Sequence, residues 1–161
     1  MIKIRARAEQ LGKELCAKNK KLATAESCTG GGLAYWLTEI PGSSEWFERG
    51  WVTYSNDSKQ ELLNVSEDLL TESGAVSKEV VEAMAQGALL NSHADLALAI
   101  SGVAGPLGGT EDKPVGTVWF ALGNNETIHA SLKKFSGNRY EIRQHAIEFA
   151  LELLLSDIKI R

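Results

Sequence analysis

Cysteine, proline and long apolar runs are all scarce in this chain of 161 residues. Its two cysteines, Cys16 and Cys28, are too few for the disulfide framework that staples small secreted domains, and neither needs to pair. No apolar run approaches the ~20 residues that span a bilayer, and the N-terminal stretch has neither a secretory nor a transit pattern. The expected setting is therefore a reducing, bacterial-type cytoplasm, with no membrane contact. Blocks of basic residues are also missing: 17 Lys and Arg face 21 Asp and Glu, for a net charge of −4. That balance excludes a general nucleic-acid-binding surface. It leaves room for a small anionic ligand, which needs only a local cradle of backbone N–H groups and one or two cations. Neither GxxxxGK[ST] nor GxGxxG occurs, and no Cys, His and carboxylate cluster has ligand spacing, so no metal and no standard nucleotide cofactor is expected.

What is present reads as one ordinary domain over residues 1–161. Apolar residues make up 43% and charged residues 24% of the chain, and a chain this long buries roughly two-thirds of its unfolded surface. Ile4, Ala8, Leu11 and Leu15 recur at helical spacing and predict an opening helix. Leu22 to Ala25 reads as a buried strand, followed by a glycine turn and a helix carrying Leu33, Ala34, Leu37 and Ile40, stopped at Pro41-Gly42. A second strand is expected from Gly50 through WVTYS, then a short helix capped by Asn56 or Asp57. Ser77 caps a helix with Val80, Val81, Met84 and Ala88 on one face, and DLALAI (95–100) is apolar enough for a central strand. Residues 101–116 hold five of the 15 glycines and two of the three prolines, the composition of a long ordered loop. Thr117 to Leu122 and Thr127 to Phe135 form a hairpin around Gly123-Asn124-Asn125, and a last helix places Ile142, Ala146, Phe149 and Leu153 on one face. Trp36, Trp46, Phe47 and Trp51 are expected in the core. Strands alternating with helices, then a hairpin, give a three-layer α/β/α sandwich. Its mixed, mostly parallel sheet has about five strands, one of them antiparallel.

In such sheets ligands gather beyond the carboxyl ends of the parallel strands. Three loops qualify: ESCTGGG (26–32), YSNDSK (54–59) and SGVAGPLGG (101–109). At the first, Ser27 can present its hydroxyl while N–H groups entering the helix stabilise an oxyanion, or Ser27 or Thr29 can simply cap that helix. Cys28 is the rival nucleophile, because a helix N-terminus lowers a thiol pKa. A cysteine site also needs a partnered histidine, and His93, His129 and His145 all fall outside these loops, which favours a structural thiol. A base for Ser27 is then sought in the second loop, where Tyr54 and Lys59 both qualify. In the third, Ser101 precedes Gly102, Gly105, Gly108 and Gly109, whose N–H groups can form an anion nest with Lys113 beside it. Arg139 and Arg143, one helical turn apart, either clamp a carboxylate or phosphate or pair with Glu141 and Glu148 on the surface.

Taken together, TAESCTGG, GWVTYSNDSK, AISGVAGPLGGTEDKPVGTVWFA and FSGNR resemble the CinA carboxy-terminal domain family, over about Lys21 to Ala150. The resemblance implies an amidase: hydrolysis of the carboxamide of nicotinamide mononucleotide to nicotinate mononucleotide and ammonia, a pyridine nucleotide salvage step. It implies Ser27 as nucleophile, with Tyr54, Ser101 and one of Arg139 and Arg143 beside it, and a homodimer. Residues and resemblance combine into one expectation. Tyr54 assisted by Lys59 moves the proton, N–H groups at Cys28 to Gly30 hold the oxyanion, and Thr29, Gly30, Gly31, Gly105, Gly108, Gly109, Lys113 and an arginine bind substrate. The competing class is a non-catalytic module that binds a pyridine nucleotide and regulates a partner. Glu26 either orients Lys59 or buttresses the turn.

Overall fold

Alternation along the inner strands sends large and small residues to opposite faces of one sheet. The computed structural model describes residues 2–160, and in it β1 (Leu22–Glu26), β3 (Leu96–Gly102) and β4 (Thr117–Gly123) are buried almost throughout. Leu22, Leu96, Leu98, Ile100, Val118, Phe120 and Leu122 face one core with helices α1 (Ile2–Ala17), α2 (Gly32–Thr38) and α6 (Arg139–Ile160). Ala25, Ala97, Ala99 and Ala121 face the other. That second face is nearly flat, so α5 (Lys78–Leu90) lies close against it through Val80, Val81, Met84, Ala85 and Ala88. Each large aliphatic side chain removed from water contributes roughly 1.5–3 kcal/mol, so the Leu-rich face carries most of the sheet's burial. The architecture is the expected three-layer sandwich.

The sheet has five strands in the order β2-β1-β3-β4-β5, with β2 at Phe47–Val52 and β5 at Ile128–Lys134. β2, β1 and β3 are mutually parallel, while β4 runs antiparallel to both of its neighbours. The chain moves outward from β1 to β2 and then returns to place β3 on the other side of β1. The carboxyl ends of β1 and β3 therefore flank a switch point, where the loops leaving them diverge and open a crevice.

Several boundaries differ from those the sequence suggests. β2 begins at Phe47 and ends at Val52, so Thr53, Tyr54 and Ser55 leave the sheet and form the connection into α3 (Asn56–Leu63). The cap of α3 is Ser55, whose hydroxyl accepts the N–H of Ser58 while the hydroxyl of Ser58 accepts the N–H of Ser55. That reciprocal pair outcompetes Asn56 and Asp57 because both orphan donors are satisfied at once. A further helix, α4 (Glu67–Ser73), follows its own cap, Ser66. β3 runs on through Ser101 and Gly102, with Gly102 packed against Val118 of β4. The buried stripe of α6 is Ile142, Ala146, Ile147, Ala150, Leu151, Leu154, Leu155 and Ile158; Phe149 and Leu153 lie at its margin. Of the aromatic group, Trp46 is buried over Gly12, and Trp36, Phe47 and Trp51 pack partly buried at the edges of the two cores.

Candidate active site

Ser27 is the first residue past β1, held beside β3 by its N–H donating to the carbonyl of Ile100 at 2.9 Å. Ser101, on β3, is its neighbour across the switch point. Lys59 reaches the same place from the first turns of α3: its Nζ donates to the carbonyl of Thr53 at 2.8 Å and to Ser27 Oγ at 3.1 Å. Only 1% of Lys59 is exposed and 8% of Ser27. Among the described residues no carboxylate pairs with the Lys59 amine, and burial holds its pKa below the ordinary lysine range. A desolvated lysine touching a serine hydroxyl is chemically able to take that hydroxyl's proton.

The turn that presents Ser27 is anchored from behind. Glu26 is buried, and its carboxylate accepts the hydroxyl of Thr29 at 2.6 Å and the N–H groups of Leu33 at 2.9 Å and Ala34 at 3.0 Å. It thus caps the first turn of α2 and buttresses the turn, and the three hydrogen bonds its carboxylate accepts all go to that turn and helix. Gly30 and Gly31 take φ of 59° and 89°, conformations that disfavour side chains, and a Cβ on Gly32 would meet Ile147 at 2.7 Å. Arg143 closes the other side: its Nε donates to the carbonyl of Cys28 at 3.1 Å and its second terminal nitrogen to that of Thr29 at 3.0 Å. The Cys28 side chain is buried, and desolvation pushes its thiol up to about 12 despite the opposing charges of Arg143 and Lys59. A helix-entry thiolate does not form there.

Ser27, Lys59 and Ser101 sit at the base of a cleft of about 280 Å³, which Tyr54, Asn56, Ala75, Val76, Gly105, Leu107, Gly108 and Arg139 also line. Ser101 Oγ donates to the carbonyl of Ala75 at 2.7 Å, so its oxygen offers lone pairs to the cleft. Arg139 donates to the carbonyl of Gly105 at 2.7 Å and to the hydroxyl of Tyr54 at 2.8 Å, joining two loops to the start of α6 across the mouth. A larger hollow of about 620 Å³ lies at the opposite end of the sheet, around Lys20, Asp95 and Asn124. It holds no nucleophile with a partnered base, so the chemistry selects the smaller cleft.

The structure thus brings together Ser27, Tyr54, Lys59, Ser101, Gly105, Gly108 and Arg139. Thr29, Gly30, Gly31 and Arg143 build the turn instead of lining the cleft. Of the three N–H groups that follow Ser27, that of Gly30 is engaged by the carbonyl of Ser27 at 3.0 Å. Gly109 packs within its own loop against Val115. Lys113 ties that loop to α4 through the carbonyl of Ser73 at 2.7 Å. Tyr54 is 59% exposed and bonded to Arg139, so it is Lys59 that touches the serine. Sequence reasoning missed Asn56, Ala75, Val76 and Leu107 as cleft residues. Only Asn56 carries a signal, as a polar residue in a strand-end loop, and the same residue type also reads as a helix cap.

A doubly covered mixed sheet with a buried serine and lysine at its switch point defines a small α/β protein with a serine–lysine site. The chain belongs to the CinA C-terminal domain family, whose model matches residues 4–158. It is 51% identical over 148 residues to the nicotinamide-nucleotide amidohydrolase PncC of Pseudomonas putida, covering 92% of each chain. The protein of the same name from Escherichia coli K12 is 50% identical over 148 residues, covering 91% of this chain and 90% of that one. Among solved structures, the competence/damage inducible protein CihA of Agrobacterium tumefaciens superposes with a TM-score of 0.93 at 40% identity, covering 96% of this chain and 94% of that one. A CinA superfamily protein of Klebsiella pneumoniae gives 0.95 at 35% identity, covering 98% and 99%.

Proposed function

We propose that this chain is a nicotinamide-nucleotide amidase, converting the carboxamide of nicotinamide mononucleotide to a carboxylate with release of ammonia. The observation that carries the reading is the buried contact of Lys59 Nζ with Ser27 Oγ at the base of the cleft. Relatives named nicotinamide-nucleotide amidohydrolase at 50–51% identity supply the substrate.

Neutral Lys59 takes the Ser27 proton as Oγ adds to the amide carbon, and the N–H groups of Cys28 and Thr29 receive the oxyanion. The tetrahedral adduct collapses, the C–N bond breaks, and the leaving nitrogen takes the proton back from Lys59 to depart as ammonia. Water, deprotonated by the same lysine, then attacks the Ser27 ester; its C–O bond breaks and carboxylate and serine are released. Ser101, with its proton committed to Ala75, accepts from the amide NH2. A carboxylate has no such donor, so the same oxygen favours substrate over product. Arg139 and the Gly105–Gly108 backbone stand at the mouth, where a 5′-phosphate would lie. An unpaired, exposed Cys16 fits a reducing cytoplasm.

A panel of nicotinamide mononucleotide, its riboside and the corresponding dinucleotide, read as ammonia release, tests this. The mononucleotide should turn over best, because the riboside lacks the anion and a cleft of about 280 Å³ is small for a dinucleotide. Tight binding of the mononucleotide with no product would instead support a regulatory binding module.

A further inference from the structure

The site described above leaves Arg143 without a place in the cleft, yet its contacts bear on the two peptides that follow Ser27. Every peptide in this turn is trans, so the N–H of each unit points opposite to its carbonyl. Arg143 Nε holds the carbonyl of Cys28, whose peptide carries the N–H of Thr29. Its terminal nitrogen holds the carbonyl of Thr29, whose peptide carries the N–H of Gly30, and that N–H donates to the carbonyl of Ser27. The Ser27 carbonyl in turn shares a peptide with the N–H of Cys28. One guanidinium therefore sits at the head of two hydrogen-bonded chains. One chain ends at Thr29 N–H after one peptide and the other at Cys28 N–H after two.

From this arrangement we infer that Arg143 is the positioning residue of the oxyanion hole: it orients and polarises the N–H groups of Cys28 and Thr29 from behind the turn, without touching substrate. Hydrogen bonds linked in series strengthen one another, and a cation on a carbonyl sharpens the donor on the same peptide. The planar fork spans adjacent carbonyls, which a single ammonium does not reproduce. Gly30 lets the turn take its φ of 59°, with the guanidinium 3.4 Å from its Cβ position. Glu26 fixes the same turn on its helix side through Thr29 Oγ1 and the N–H groups of Leu33 and Ala34, so freedom in the turn is removed from both directions.

The inference rests on the amidase reading, and the experiment separates the two. Wild type, Arg143→Met and Arg143→Lys are assayed with nicotinamide mononucleotide, its riboside and the thiocarboxamide analogue of the mononucleotide. Thermal unfolding of all three proteins is followed in parallel. Sulfur is larger than oxygen and a poorer acceptor of N–H bonds, so an ordered oxyanion hole strongly favours the oxygen substrate. Arg143→Met should lower kcat by about a hundredfold with KM nearly unchanged, and narrow the oxygen-to-sulfur preference by about tenfold. Arg143→Lys, which holds one carbonyl at a time, should fall between. A preference that stays at the wild-type ratio would overturn the inference, whether or not the melting temperature falls. So would a rise in KM for the mononucleotide but not the riboside, which marks an arginine that grips the phosphate. Wild-type protein that releases no ammonia from either carboxamide would overturn the amidase reading itself, and the role of Arg143 with it.

Discussion

Lys59 Nζ lies 3.1 Å from Ser27 Oγ, joining a helix and a strand end 32 residues apart in sequence. The contact exists because only Thr53, Tyr54 and Ser55 separate β2 from α3, and β2 is paired with β1 in parallel, so both carboxyl ends open on one side.

Ser27→Ala should lower ammonia release at least about a thousandfold, since it removes the hydroxyl that Lys59 touches. Cys28→Ala should keep activity within about tenfold, because its thiol is buried and held in its neutral form. The reverse pattern, measured as kcat/KM on the two variants, would assign the chemistry to Cys28.

Activity should require the neutral form of Lys59, so kcat/KM rises with pH through a pKa below the ordinary lysine value near 10.4. Stability should follow the same group. Between the depressed folded pKa and the ordinary value, the unfolded chain binds more protons, so wild-type stability rises with pH across that window. Below it the full cost of burying the lysine is present. Lys59→Met should be inactive and lack this rise, which urea unfolding at a series of pH values measures directly.

Ser101→Ala should raise KM for the carboxamide and tighten inhibition by the carboxylate product, each by about tenfold. Product-inhibition kinetics decide it; equal weakening of both ligands would mean that Ser101 acts only through its bond to Ala75.

Glu26→Gln removes a carboxylate that accepts three hydrogen bonds and places an NH2 against donors. The expected loss is about 2–3 kcal/mol, or a fall in melting temperature of ~5–10 °C for a domain of this size. A shift below 2 °C would show that the turn is held without it.

Gly87→Ala should cost about 1–3 kcal/mol, because its Cβ would meet the backbone of Leu63 where α5 crosses α3. Since α3 carries Lys59, kcat should also fall by about tenfold or more as Nζ moves off Ser27. Unfolding and kcat measured on the same preparation check both effects together.

Much of this was legible beforehand. Leu22 to Ala25 and Asp95 to Ile100 read as buried strands from apolarity alone, with Asp95 falling just outside β3, and the placement of Ser27, Lys59 and Ser101 around one cleft follows from their positions in or beside strand-end loops. Arg143 was not legible as the backer of the turn, since arginines at i and i+4 look alike in sequence. One turn of α6 separates a residue that faces the cleft from one that faces the backbone behind it. The tie from Lys113 to the carbonyl of Ser73 was not legible either, because a loop cation in a glycine-rich segment reads first as an anion ligand.

The sequence by itself determined the sandwich, the single antiparallel strand and the glycine turn after β1, because periodicity, caps and backbone conformational cost are local properties. Only the tertiary structure decided that Lys59 rather than Tyr54 touches Ser27, that Glu26 caps α2, and that Arg139 and Arg143 divide between cleft and turn. Those outcomes depend on which carbonyls and hydroxyls reach hydrogen-bond distance once distant segments pack, and on how much water that packing removes from Lys59.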